Sequence, residues 1–229
     1  MKIAIMADIH SNLYALETAL EIIKKDEVDR IFICGDVVGY GKQPNECCEV
    51  VRSMGCPVVA GNHDHAVADL IEYKTSHSTS AINGIEYAKS VITPENLEWL
   101  RSLPLYHIEN DMEFVHASII NPDRWCYLAL GKPFDDSKYQ DVRDIFSAMK
   151  SQVCFVGHSH IPSIFIEKRV KNIAVIDPSK HSYELAGKRA VIDVGSVGKP
   201  RTSAKRASLV IYDNERQLVW FKRFRAVRN

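Results

Sequence analysis

Five short motifs carry side chains able to bind a metal: Asp8-Ile9-His10, Gly35-Asp36, Gly61-Asn62-His63-Asp64, His116 and Gly157-His158-Ser159-His160. Asp8 and Asp36 offer carboxylates, Asn62 an amide oxygen, and His10, His116, His158 and His160 imidazoles; there is no thiolate among these seven donors. A single zinc ion is satisfied by about four ligands. Seven suit two divalent cations that share a carboxylate, and Asp36, in a central motif, is the natural bridge. Mixed nitrogen and oxygen donors favour Mn, Fe, Zn, Co or Ni over Ca, without choosing among them. Taken singly the motifs are weak, because Asp-x-His arises by accident, Gly-Asp is a common turn and a lone histidine is more often structural. Their joint occurrence carries the reading, since each follows an apolar run.

Those runs are the elements that must position the donors. Ile31-Phe32-Ile33-Cys34 is rich in β-branched and aromatic residues and stops at Gly35-Asp36, as a strand buried on both faces does when it opens into a loop. Ile3–Ala7, Pro57–Ala60, Glu113–Val115 and Val153–Val156 repeat the pattern. The donors therefore sit at the C-terminal ends of strands, where open α/β sheets bind ligands. Asp8 with His10, and His158 with His160, are spaced two apart, which in an extended segment aims both side chains to one side. Ser11 or Asn12 is expected to cap a helix carrying Leu13, Leu16, Leu20 and Ile23, and Pro44 to open another ending near Gly55. This βαβαβ opening predicts parallel strands with right-handed crossovers. Helices follow over Ser78–Ile92 and from Thr93. His65, His77 and His107 read as ordinary histidines, and Asp64 as a helix cap. Asn121–Tyr139 is irregular, with Trp125, Tyr127 and Phe134, and is expected to form a flap beside the site. A helix near Ser137–Lys150 leads to His158. After Ile161 short alternating strands predominate, and they predict a second, antiparallel sheet.

The 229 residues suffice for one large domain or two small ones. Because the motifs run from Asp8 to His160, any division would cut the site, so a single domain over 1–229 is expected. Apolar residues make up 46% and charged residues 25%, with no net charge, which argues against nucleic acid as a partner. Six cysteines without C-x-x-C spacing, no apolar run of membrane-span length and no secretory pattern lead to the expectation of a reduced, cytoplasmic protein.

Together these motifs resemble the calcineurin-like metallophosphoesterase superfamily. Gly35-Asp36-Val37-Val38-Gly39-Tyr40-Gly41 and Gly195-Ser196-Val197-Gly198-Lys199-Pro200-Arg201 resemble its compact prokaryotic phosphodiesterase-like branch. The resemblance implies an α/β fold, a four-layer αββα sandwich of two mixed β-sheets flanked by helices. It implies that Asp8, His10, Asp36 and His160 hold one metal, and that Asp36, Asn62, His116 and His158 hold the other. It further implies in-line attack on phosphorus by a metal-bound hydroxide, with His63 stabilising the transition state and protonating the leaving alkoxide. The expected substrate is a phosphorylated small molecule or nucleotide, and the expected reaction is phosphodiester hydrolysis. Phosphoprotein phosphatase or dinucleoside polyphosphate hydrolase activity are alternatives, as is a non-catalytic scaffold on the same fold. One position departs from the protein phosphatases: where they place an Asp three residues after the bridging Asp, this chain has Gly39.

Overall fold

Two six-stranded sheets stack with helices on their outer faces in the computed structural model, which describes residues 1–75, 77–128, 140–168, 173–176, 178 and 182–226. The first half of the chain gives β1 (Lys2–Met6), α1 (Leu13–Lys25), β2 (Arg30–Cys34), α2 (Pro44–Ser53), β3 (Val58–Val59), α3 (Asn62–Val67), α4 (Thr79–Val91), α5 (Pro94–Ser102), β4 (Tyr106–Glu109) and β5 (Met112–Val115). The second half gives α6 (Gln140–Ala148), β6 (Val153–Val156), β7 (Ser163–Glu167), β8 (Ile173–Ile176), β9 (Tyr183–Glu184), β10 (Ala190–Asp193), β11 (Arg206–Asp213) and β12 (Leu218–Arg225). One sheet has the order β3-β2-β1-β11-β12-β9 and the other β4-β5-β6-β10-β7-β8.

The expected parallel opening is present: β1 pairs in parallel with β2, and β2 with β3. The expectation of a separate antiparallel sheet after Ile161 is not met. β11 instead joins β1 antiparallel, while β10 joins β6 in parallel, so both sheets are mixed and each draws on both halves of the chain. Strand alternation is a local property, and it does not specify which existing edge a late strand will complete. The helix expected near Ser137–Lys150 is α6, and residues 137–139 lie outside the described residues, as does the expected flap beyond Leu128.

Alternation along each strand sorts side chains into layers. Ile3 and Ile5 of β1 enter the layer between the sheets with Phe32, Phe114, Phe155, Ile192 and Val210. Ala4 and Met6 face the other way, onto Ala15, Leu16 and Val51 of α1 and α2. On the far side Cys154, Val156 and Val191 pack under Val142, Ile145 and Phe146 of α6. The result is the four-layer αββα arrangement. Phe32 of the first sheet stacks on Phe114 of the second at 4.1 Å between centroids, and Phe114 lies 5.5 Å from Phe155. This column ties the sheets together beneath the strand ends, each buried ring contributing about 1.5–3 kcal/mol.

Local chemistry sets the helix starts. The Asn12 side chain accepts from Ala15 N–H and caps α1, while its amide donates to the Gly198 and Ala226 carbonyls. Asp64, as expected, serves as a cap: its carboxylate accepts the N–H of Gly61, and also those of Asp36 and Val38. All six cysteines are free, four of them buried. No helix among the described residues is long and apolar enough to cross a membrane.

Candidate metal centre

The seven donors, scattered along the sequence, meet at the seam between the two sheets. The loops after β1 and β2 deliver Asp8, His10 and Asp36, the first turn of α3 after β3 delivers Asn62, and the loops after β5 and β6 deliver His116, His158 and His160. All seven are buried. Asp8, His10, Asp36 and His160 form one group whose ligand atoms lie within 4.8 Å of one another, and Asp36, His116 and His158 form a second. Asp36 belongs to both. Its Oδ2 lies 3.6 Å from His10 Nε2 and 3.4 Å from His116 Nε2, while its Oδ1 accepts the His63 N–H at 2.8 Å. Asn62 lines the same cavity as Asp36 and His158.

The pairs spaced two apart converge, but not through extended backbone as the spacing suggested. Asp8, His10, Asp36, His158 and His160 all have positive φ, between 51° and 67°. β1, β2 and β6 end two residues before the first donor of each loop, and left-handed turns then fold the side chains inward. Such conformations in non-glycine residues cost of order 1 kcal/mol each and gather at functional sites.

The orientation of the imidazoles suits cations. His10 Nδ1 donates to the Val38 carbonyl, His160 Nδ1 to Lys199 and His116 Nδ1 to Cys34. These bonds turn each Nε2 toward the centre, as the partners of metal-bound histidines do. His10 Nε2 and His160 Nε2 thus face one another at 3.1 Å with their lone pairs converging, an arrangement that a cation relieves. Asp8 Oδ1 and Asn62 Oδ1 are buried without a hydrogen-bond partner, and His158 turns its Nδ1 to within 3.1 Å of His116 Nε2. Unpaired buried acceptors are costly unless a ligand satisfies them. The residues present therefore fit two cations bridged by Asp36.

A family model described as the calcineurin-like phosphoesterase superfamily domain matches residues 1–217. The chain is a calcineurin-like phosphoesterase. It is 39% identical over 219 residues to an uncharacterised protein of Methanocaldococcus jannaschii, covering 93% of this chain and 83% of that one. It is similar in structure to a metallophosphoesterase from Sphaerobacter thermophilus, with a TM-score of 0.83, 33% identity and 98% of this chain against 88% of the other covered. It is also 33% identical over 119 residues to a symmetrical bis(5'-nucleosyl)-tetraphosphatase of Methylobacillus flagellatus, a match that spans 50% of this chain and 42% of that enzyme. This phosphoesterase is thus a hydrolase of phosphoesters.

His63 lies beside the donors. Its ring meets His10 edge-on at 4.7 Å and is 4.8 Å from Tyr40. Its Nδ1 is buried and without a hydrogen-bond partner. At Gly39 a Cβ would come 2.3 Å from that Nδ1, and Gly39 has φ +96°, so a side chain there would be strained and would displace the ring. Asp64 does not orient the ring, since its oxygens take the three backbone N–H groups described above.

In this phosphoesterase electrostatics divide the histidines. Burial pushes His63 well below the ordinary imidazole range, and His158 down to about 3, so both are neutral at pH 7. Burial also acts against charge on His116, but Asp36 and Asp8 outweigh it and raise the pKa to about 10. Asp36 remains ionised: burial alone would raise it, and the surrounding imidazoles hold it well below its ordinary value. At neutral pH the His116 proton therefore occupies the position toward which a cation would be drawn. Cation binding must expel it, so the affinity for a divalent cation should rise about tenfold per pH unit above neutrality, where the proton is still bound. Titration calorimetry at about pH 7 and about pH 8 reads this slope; a pH-independent affinity would contradict it.

Around the centre lie residues that spacing did not reveal. A cavity of about 350 Å³ opens onto Asp36, Asn62, His63 and His158. His77, read from the sequence as ordinary, lines it, and its Nε2 lies 2.7 Å from Asn62 Nδ2. Tyr127 stacks on the His158 ring at 4.0 Å, and Trp125 stands edge-on to His116 and His65. The described part of the expected flap therefore packs onto the centre. Gly195–Arg201 straps the first loop: Val197 N–H donates to Ala7 and Gly198 N–H to Asp8. A Cβ at Gly198 would lie 1.8 Å from the Ile9 carbonyl oxygen, so only glycine allows this approach. Lys199 lies over the Tyr40 ring at 4.0 Å, and Arg201 donates to the Tyr127 hydroxyl, which sets two cationic side chains against aromatic rings that line the cavity.

Proposed function

We propose that this phosphoesterase is a dinuclear metal-dependent phosphodiesterase. The observation that carries the reading is the pair of donor groups sharing Asp36 Oδ2. Asp8, His10, Asp36 and His160 would hold one cation, and Asp36, Asn62, His116 and His158 the other. Two divalent ions supply Lewis acidity there, lowering the pKa of water and screening phosphoryl charge. The remaining chemistry belongs to the chain. Backbone carbonyls hold the imidazoles in one tautomer, and the buried walls limit water. His63 faces the cavity and takes the leaving-group role. Burial keeps it neutral in the free protein, and the negative charge of an arriving phosphate raises its pKa so that it can carry the proton delivered to the alkoxide. Lys199 and Arg201 favour an anionic substrate, and the cavity beside Tyr127 leaves room for a second substituent on phosphorus.

A second reading is dinucleoside polyphosphate hydrolysis, favoured by the similarity to the symmetrical tetraphosphatase over half of this chain. Gly39, which brings no carboxylate to orient His63, speaks against a phosphoprotein phosphatase. Buried donors left unpaired without a cation speak against a scaffold. A substrate panel in Mn, Fe, Co, Ni or Zn separates these readings. A bis-aryl phosphodiester should be cleaved with a higher kcat/KM than an aryl monoester or a phosphopeptide. Preference for diadenosine tetraphosphate would select the second reading. Preference for the monoester or the phosphopeptide would overturn both, and a protein that binds no metal and cleaves nothing would be a scaffold.

A further inference from the structure

We propose that His77 is a positioning residue that decides which end of the Asn62 amide faces the second cation. The proposal rests on the two-cation reading and extends it to a residue outside the donor motifs. A side-chain amide has nearly isosteric ends, one accepting and one donating. Nothing in Asn62 itself favours presenting Oδ1, so its neighbours must make the choice. Asn62 Nδ2 lies 2.7 Å from His77 Nε2. His77 Nδ1 donates to the Tyr73 carbonyl at 3.1 Å, which leaves Nε2 as an acceptor and makes Asn62 Nδ2 the donor. Asn62 Oδ1 is then turned the other way, buried and without a partner.

The anchor behind this relay is firm. Tyr73 is buried, and its hydroxyl donates to Glu86 Oε1 of α4 at 2.6 Å. His77 therefore links the second donor group to α4 through the segment between α3 and α4. Its ring also stands edge-on to His63 at 5.4 Å. His77 is not itself a fifth imidazole donor to the centre, because the nitrogen facing the site is taken up by the Asn62 amide. Removing the acceptor frees Asn62 to turn, and a turned amide points N–H groups at the cation. Partners of this kind are worth about 10–100-fold in metal affinity.

The test is a stoichiometric titration with Mn²⁺ of protein stripped by a chelator, read by calorimetry and by competition with a chromogenic chelator. The wild type should bind two equivalents. His77→Ala should weaken one of the two by about 10–100-fold and leave the other alone. His77→Gln, whose side-chain oxygen can accept from Asn62 Nδ2, should recover most of the loss. Should His77→Ala fail to fold, His77→Leu compared with His77→Gln makes the same contrast, since only glutamine offers an acceptor. Wild-type affinity for both equivalents in the acceptor-less variant, equal weakening of both, or no recovery in His77→Gln would overturn the proposal. A wild type that binds no second equivalent would instead sink the two-cation reading beneath it.

Discussion

Asp36→Asn is expected to strip the centre and abolish turnover. Asp36 Oδ2 stands between His10 and His116, so among the described residues it is the oxygen offered to both donor groups. Asparagine can keep the Oδ1 bond to the His63 N–H and the shape of the side chain. It brings no negative charge, and its second end is then an NH2 group, which donates and cannot serve as a ligand. Two cations held close together would then lose the charge that offsets their repulsion. We expect metal content by mass spectrometry to fall toward zero, and kcat/KM to fall by about a thousandfold or more, roughly 4 kcal/mol of transition-state stabilisation. Circular dichroism should remain that of the wild type, because the packing around residue 36 is unchanged. A variant that retains both metals and its rate would remove Asp36 from the bridge.

His63→Ala should separate binding from chemistry. His63 lies beside His10, Tyr40 and His77 but belongs to neither donor group. The variant should keep its metals while kcat drops by about 10²–10⁴, the usual range for a lost general acid. The size of the loss should depend on the leaving group. A nitrophenolate departs without a proton, so a nitrophenyl ester should suffer least. An alkoxide needs that proton, so an alkyl ester should suffer most. Equal losses for both would assign His63 to charge stabilisation alone, and loss of metal would contradict its separation from the donors.

The two experiments bear on different parts of one arrangement, and the arrangement was unevenly legible in the sequence. Apolar runs ending at Asp8, Asp36, Asn62, His116 and His158 announced both the strands and the loops, because a strand buried on both faces writes itself as a continuous hydrophobic stretch. Helix starts at Asn12 and Pro44 were legible for the same local reason. Partner strands were not. β10 and β11 look alike as alternating segments, yet one extends the second sheet and the other the first. Nor could the spacing of Asp8 and His10 show that left-handed backbone, rather than extended strand, brings them together. His77 had no signal at all: it is one histidine in a polar stretch, and its place against Asn62 depends on how the segment before α4 returns to the site.

The chain's residue types and their order determined that seven donors and His63 would lie at strand exits, since buried strands, glycine turns and helix caps are encoded within a few neighbouring positions. Only the tertiary structure decided that donors from two sheets meet at a shared carboxylate, that Gly39 leaves His63 without an orienting aspartate, and that the Gly195–Arg201 strap and His77 close around them. The physical reason is range. Local preferences act over a few residues, whereas the docking of one sheet on the other is settled by the packing of Phe32, Phe114 and Phe155 across the seam.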